Sequence, residues 1–240
     1  MLQFLVFLIV SFTLANGEQL GLYNHHTVLD AFAAQPINNV ENPNNAIAYN
    51  INCPENNFLH CQLQFNNVYN IAPNDDWRNI LDIEKTVFTN LMISKKTFLT
   101  GCQARKQFYQ CNGDKYTTCI NRYHLFSRVT NTADIPAAYA YPAFWNRFDF
   151  ICGGGFGIAI DEFYALTSLK AHSDAEQCAL QFGQNMANQL NSLCDNTQTY
   201  MTCMQTHFIA NSDKTLGWFA CEDARTSFAL DCPNLRCTIY

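Results

Sequence analysis

From Asp75 onward, apolar residues recur at helical spacing. Ile80, Ile83, Val87 and Leu91 follow one another at intervals of three and four, the stripe of one buried helix face. Asp75 and Asp76 stand just before it, where the positive end of a helix dipole favours acids. A second helix is predicted over about 155–170, with Phe156, Ile160, Phe163 and Leu166 turned inward. A third opens on Ser173-Asp174-Ala175-Glu176, a capping box in which the Ser and Glu side chains each satisfy an orphan backbone N–H. Cys178, Phe182, Met186, Leu190 and Leu193 continue it along one face. No comparable run of alternating apolar and polar residues predicts a strand. The pattern is that of an all-α fold with irregular connections.

The N-terminal third reads differently. Residues 2–15 are apolar except for Gln3, Ser11 and Thr13 and carry no charge. A membrane-crossing helix needs about 20 apolar residues, and this run is shorter. Ala15-Asn16-Gly17 then places small residues at the two positions a signal peptidase reads, and Glu18 follows. Residues 1–17 are therefore expected to be a cleaved signal peptide, with a buried N-terminal helix as the competing reading. No second run of that length follows, so no transmembrane segment is expected in the mature chain. Between 18 and 75, Asn38, Asn39, Asn42, Asn44 and Asn45 crowd together, and four of the seven prolines fall at 36, 43, 54 and 73. Asn favours turns and Pro blocks helices and central strands. That composition predicts an irregular, extended arm over 18–75, pinned by Cys53 and Cys61, ahead of a disulfide-stabilised helical domain over 76–240.

Cysteine usage fixes the compartment more firmly. Cys53, Cys61, Cys102, Cys111, Cys119, Cys152, Cys178, Cys194, Cys203, Cys221, Cys232 and Cys237 all follow the expected signal, and their number is even. In an oxidising compartment that reads as six disulfides. Structural zinc sites favour close pairs such as C-x2-C, whereas the tightest gap here is Cys232-x4-Cys237. Twelve cysteines allow on the order of ten thousand pairings, so connectivity stays open at this level. One restriction follows from a faint repeat. Cys102 to Cys111 and Cys194 to Cys203 share the pattern C-x5-aromatic-x2-C, and each copy is followed by an aromatic run into a cysteine, at Cys152 and Cys221. Duplication into halves 76–170 and 171–240 is one explanation; two unrelated helices are the other. On a continuous helix, cysteines nine residues apart lie about 13.5 Å apart along the axis. A disulfide spans at most about 6.8 Å between Cα atoms, so neither local pair should form.

Composition and charge narrow the function classes. The formal net charge is −6, only 14% of residues are charged, and the basic ones are scattered. A nucleic-acid groove needs clustered Lys and Arg. No G-x-S-x-G elbow or H-E-x-x-H motif occurs. The C-C-x-x-H-x-x-C segment of secreted phospholipases is absent as well. His25 and His26 fall in the predicted arm, where a surface role is expected; His60, His124, His172 and His207 are scattered. Asp161-Glu162 and Glu222-Asp223 are acid pairs, but glycosidase chemistry needs two carboxylates across a cleft, and helix neighbours point about 100° apart. Solvated faces are expected for both. Gly153-Gly154-Gly155 lacks the Lys and Ser/Thr of a phosphate loop and reads as a tight turn beside Cys152. No catalytic, cofactor-binding or metal-ligating residue stands out. The aromatic run from Tyr139 through Tyr141, Phe144, Trp145 and Phe148 to Phe150 is the most distinctive patch. Exposed, it would suit a partner; buried, it is core, and burial is the expected alternative.

The signal segment, the helical cysteine spacing, FDFICGGGF at 148–156 and GWFACEDAR at 217–225 together resemble secreted cysteine-rich proteins of nematodes. The similarity is to the chondroitin-proteoglycan-4-type domain and related families of unknown function, over roughly residues 100–237. It implies an extracellular, non-enzymatic protein, some relatives of which associate with matrix or eggshell. Chondroitin attaches at Ser-Gly, yet every Ser here precedes another residue, and no Asn-x-Ser/Thr sequon is present. The expectation is a secreted structural or binding protein whose partner is an extracellular protein, a glycan or an apolar ligand. The alternatives are a carrier of an apolar small ligand or lipid, marked by a large apolar cavity, and a secreted hydrolase, marked by convergent carboxylates or His in a cleft.

Overall fold

A computed structural model describes residues 52–188 and 192–239, without the side chains of residues 169, 170, 172, 187 and 188. The expected signal peptide, the arm up to residue 51 (with His25 and His26) and Leu190 lie outside the described residues. Within them the chain is helical and contains no strand. The longer helices are α1 (Glu55–Tyr69), α2 (Ile80–Leu91), α3 (Lys95–Asn112), α6 (Ile135–Cys152), α9 (Leu169–Asn188), α10 (Leu193–Asn211) and α11 (Lys214–Ser227). Short helices α4 (Tyr116–Cys119), α5 (Arg122–Phe126), α7 (Phe156–Asp161) and α8 (Phe163–Leu166) fill the connections. The all-α, disulfide-rich class expected from the pattern is what the chain adopts.

The α2 stripe is buried as its spacing requires: Ile80, Ile83, Val87 and Leu91 have no solvent exposure. The helix is led in by a 3₁₀ turn at Trp77–Asn79, where the Asp76 carboxylate accepts the Arg78 N–H at 2.8 Å. α3 starts on a reciprocal cap built from Ser94 and Thr97, each side chain accepting the other's backbone N–H at 3.1 and 2.9 Å. α6 is the centre of the molecule. Its Tyr141, Phe144, Trp145 and Phe148 are fully buried, with Phe65 of α1, Phe88 of α2 and Phe108 of α3 around them. Phe108 stacks on Trp145 at 4.0 Å between centroids, and Phe65 meets the same indole edge-on at 4.9 Å. Aromatic pairs in these geometries contribute about 0.5–1.5 kcal/mol each beyond area burial. The centre of the aromatic run is core, as expected, while its end rings Tyr139 and Phe150 are half-buried.

All twelve cysteines are paired. Cys53–Cys119, Cys61–Cys111 and Cys102–Cys152 close one unit over 53–152. Cys178–Cys203, Cys194–Cys232 and Cys221–Cys237 close a second over 178–237. No bridge crosses between them, and neither local nine-residue pair forms, because α3 and α10 run continuously through the two motifs. The repeat is half kept. Cys111 and Cys203, the second cysteines of the motifs, each bond an earlier long helix, through Cys61 on α1 (beyond α2) and Cys178 on the adjacent α9. The correspondence then stops, since Cys102 takes Cys152 whereas Cys194 takes Cys232 and Cys221 takes Cys237.

Four expectations need correction. The described part of the arm is not extended: residues 55–69 form α1, because Phe58, Cys61, Phe65 and Tyr69 make a buried stripe at spacings of three and four that outweighs the local Asn content. The helix expected over 155–170 is broken at Glu162 into α7 and α8, with Phe163 and Leu166 buried but Phe156 and Ile160 only partly so. The capping box at Ser173 sits inside α9, which begins a turn earlier, where the Ser168 hydroxyl accepts the Ala171 N–H at 3.2 Å. Finally, Asp223 is not on a solvated face; it is 1% exposed.

Candidate functional site

Three places carry chemistry among the described residues, and the most unusual is buried. Arg147 projects from the middle of the aromatic face of α6 and has no solvent exposure. Its Nε donates to both carboxylate oxygens of Asp223 on α11, at 2.9 and 3.0 Å. Its Nη1 donates to Glu84 on α2 at 3.4 Å, and the guanidinium lies 4.2 Å from the centroid of the Phe88 ring. Burial works against the Arg147 charge, but Asp223 and Glu84 more than offset it and hold the guanidinium protonated. Burial also pushes both carboxyls up, while Arg147 pulls them back. Glu84 ends at about 7, because burial together with the Asp223 charge outweighs the one long bond that Arg147 gives it.

A shallower cluster joins α3, α4 and α6. The Tyr116 hydroxyl donates to Asp149 at 2.9 and 3.0 Å, Arg105 Nε donates to the same carboxylate at 2.5 Å, and Arg105 lies over the exposed Tyr109 ring. Burial and the Asp149 charge push the Tyr116 hydroxyl far up, so it acts as a fixed donor rather than an acid.

The third place is a pair of surface grooves. One, of about 530 Å³, lies between α1 and α3, with Gln64, Val68, Gln107 and Gln110 on its rim above Phe65 and Phe108. The other, of about 410 Å³, runs along α10 past Gln198, Thr199, Thr202, Thr206 and His207. Cys111 lines the first and Cys203 the second, the matching cysteines of the two motifs. Apart from His207, both are lined by uncharged side chains.

Of the residues singled out from sequence, the cysteines are committed to bridges. Cys178, Cys203 and His207 come within 4.8 Å of one another, but the two sulfurs are bonded to each other and offer no thiolate. His207 instead faces Asp174 at 3.7 Å, His60 pairs with Gln64, and His124 is buried, which lowers its affinity for a proton. The Asp161-Glu162 pair stays at the surface. Gly153 and Gly154 are exposed in the turn after α6. Gly155 is buried against Phe219 and Phe150, so close that a Cβ there would meet them at 2.7 and 2.9 Å. Sequence reasoning missed the Glu84–Arg147–Asp223 cluster. The available signal was Arg147 itself, a lone cation between Trp145 and Phe148 in the most aromatic stretch of the chain.

Comparison with known proteins found no matching family model, no matching curated protein and no matching solved structure. No helix among the described residues is long and apolar enough to cross a membrane.

Proposed function

We propose that the chain is a secreted, extracellular binding or structural protein, of the cysteine-rich kind that its sequence resembles. The observation that carries this is the complete use of twelve cysteines in six bridges with no thiol left over. Such crosslinking persists in oxidising compartments and is lost in reducing ones. The binding reading is favoured over a carrier because the aromatic run that could have lined an apolar cavity is packed ring against ring around Trp145. It is favoured over a hydrolase because the carboxylates with shifted acidity, Glu84 and Asp223, are spent on a buried arginine instead of facing a cleft. Binding would then fall to the uncharged Gln- and Thr-lined grooves, which suit a neutral hydrogen-bonding partner. The test is expression of the full chain in a secretory host. Recovery from the medium with Glu18 as the first residue supports the proposal. Retention inside the cell with the leader uncleaved contradicts it.

A further inference from the structure

The two disulfide-closed units are joined by residues 153–177 and by non-covalent contacts alone. One part of the junction is apolar: Phe150 packs on Phe219 at 5.3 Å and on Trp218 at 6.1 Å. The other part is the ion cluster, and its members are divided between the units. Glu84 and Arg147 belong to the first and Asp223 to the second. One cation therefore faces two carboxylates at the point where the units meet, and with both ionised the buried cluster carries a net charge of minus one. The two acids are not equivalent. Asp223 takes the Nε–H between its two oxygens, at 2.9 and 3.0 Å, and its side chain is 1% exposed; Glu84 receives one bond of 3.4 Å and its side chain is 12% exposed. A proton arriving at the cluster goes to Glu84.

We propose that Glu84 is a proton-operated latch between the two disulfide-closed units. With Glu84 neutral, the units close on a balanced Arg147–Asp223 pair. With Glu84 ionised, an uncompensated negative charge sits in the junction and loosens it. The ionisable groups acting on Glu84 are Arg147 from α6 and Asp223 from α11, and its value of about 7 puts the change near neutrality. Tyr200 of α10 faces the same guanidinium, but burial keeps its hydroxyl protonated throughout this range. In an opened junction Glu84 would be hydrated and titrate at an ordinary value of about 4.3. Between those two values the closed form holds a proton that the open form releases. Raising the pH through this window therefore favours opening, and above it no further change follows.

Hydrogen exchange on the intact, disulfide-bonded chain at pH 5.5 and 8.5, corrected for intrinsic rates, tests this directly. Protection of amides in 80–91, 141–151 and 216–224 is expected to fall roughly tenfold or more at the higher pH. Residues 102–111, held by two bridges at their ends, should change much less. Glu84→Gln should keep the pH 5.5 level at both values, and Glu84→Met serves the same purpose if the glutamine variant does not fold. Unchanged junction protection in the parent overturns the latch, and so does an equal fall in a Glu84 variant.

Discussion

Removing the Arg147 charge should destabilise the fold in a way that depends on pH. In Arg147→Met the side-chain volume is largely kept, but Asp223 and Glu84 lose their only described cation. Both must then be protonated to stay buried. For Glu84 this changes little, since its carboxyl already holds a proton up to about 7 in the parent. For Asp223 the cost is that of carrying a proton at the working pH against an ordinary value of about 3.9, at about 1.4 kcal/mol per unit. That amounts to at most roughly 4 kcal/mol at pH 7 and about 1.5 kcal/mol at pH 5, less the share that burial already costs the raised Asp223 carboxyl in the parent, against the ~3–5 kcal/mol typical of a broken buried pair. The direction follows from the raised value in the folded variant: the stability is present at low pH and lost as pH rises. At about 2–4 °C per kcal/mol for a chain of this size, Tm should drop by up to ~10 °C at pH 7 and by at most a few degrees at pH 5. Urea unfolding of the disulfide-intact protein at both pH values measures it. A loss under about 1 kcal/mol at pH 7, or the same loss at both, would refute the assignment of Arg147 as the charge that balances Asp223.

Two ring truncations probe the core. Phe148→Ala should cost about 3–5 kcal/mol, because the ring is fully buried against Phe65, Phe88 and Phe144. Trp218→Ala should cost clearly less in the same urea titration, since Trp218 is only half-buried beside Phe150 while its neighbour Phe219 carries the buried position. Equal losses would mean that the Phe150–Trp218 contact is as much core as the α6 centre.

How far the sequence reached depends on what kind of signal each element left. The α2 stripe was legible because four apolar positions at helical spacing were all buried, with no competing pattern. The separation of the cysteines in each nine-residue motif was legible because helix geometry alone forbids the local pair. α1 was hidden, since Asn and Pro around it suggested turns, and its stripe of Phe58, Cys61, Phe65 and Tyr69 is blurred by Gln62 and Asn66 on the buried side and by the exposed Leu59 and Val68 on the other. Pro54, taken as a helix breaker, stands at the N-cap position, where a missing N–H costs nothing. The start of α9 was misplaced because Ser168 and Ser173 both carry cap chemistry, and local sequence cannot say which one the preceding chain delivers to the right place. The ion cluster was out of reach for a different reason. Its members stand 63 and 76 residues from Arg147, and only the assembled helices bring them together.

The pairing of the cysteines is the most direct measurement of this architecture. Proteolysis of the secreted protein under non-reducing conditions, followed by mass spectrometry of the linked peptides, reads it out. The expected map joins Cys53 to Cys119, Cys61 to Cys111 and Cys102 to Cys152, and separately Cys178 to Cys203, Cys194 to Cys232 and Cys221 to Cys237. A linked peptide joining any cysteine of 53–152 to any of 178–237, or a reproducible free thiol, would contradict a frame of two separately closed helical units.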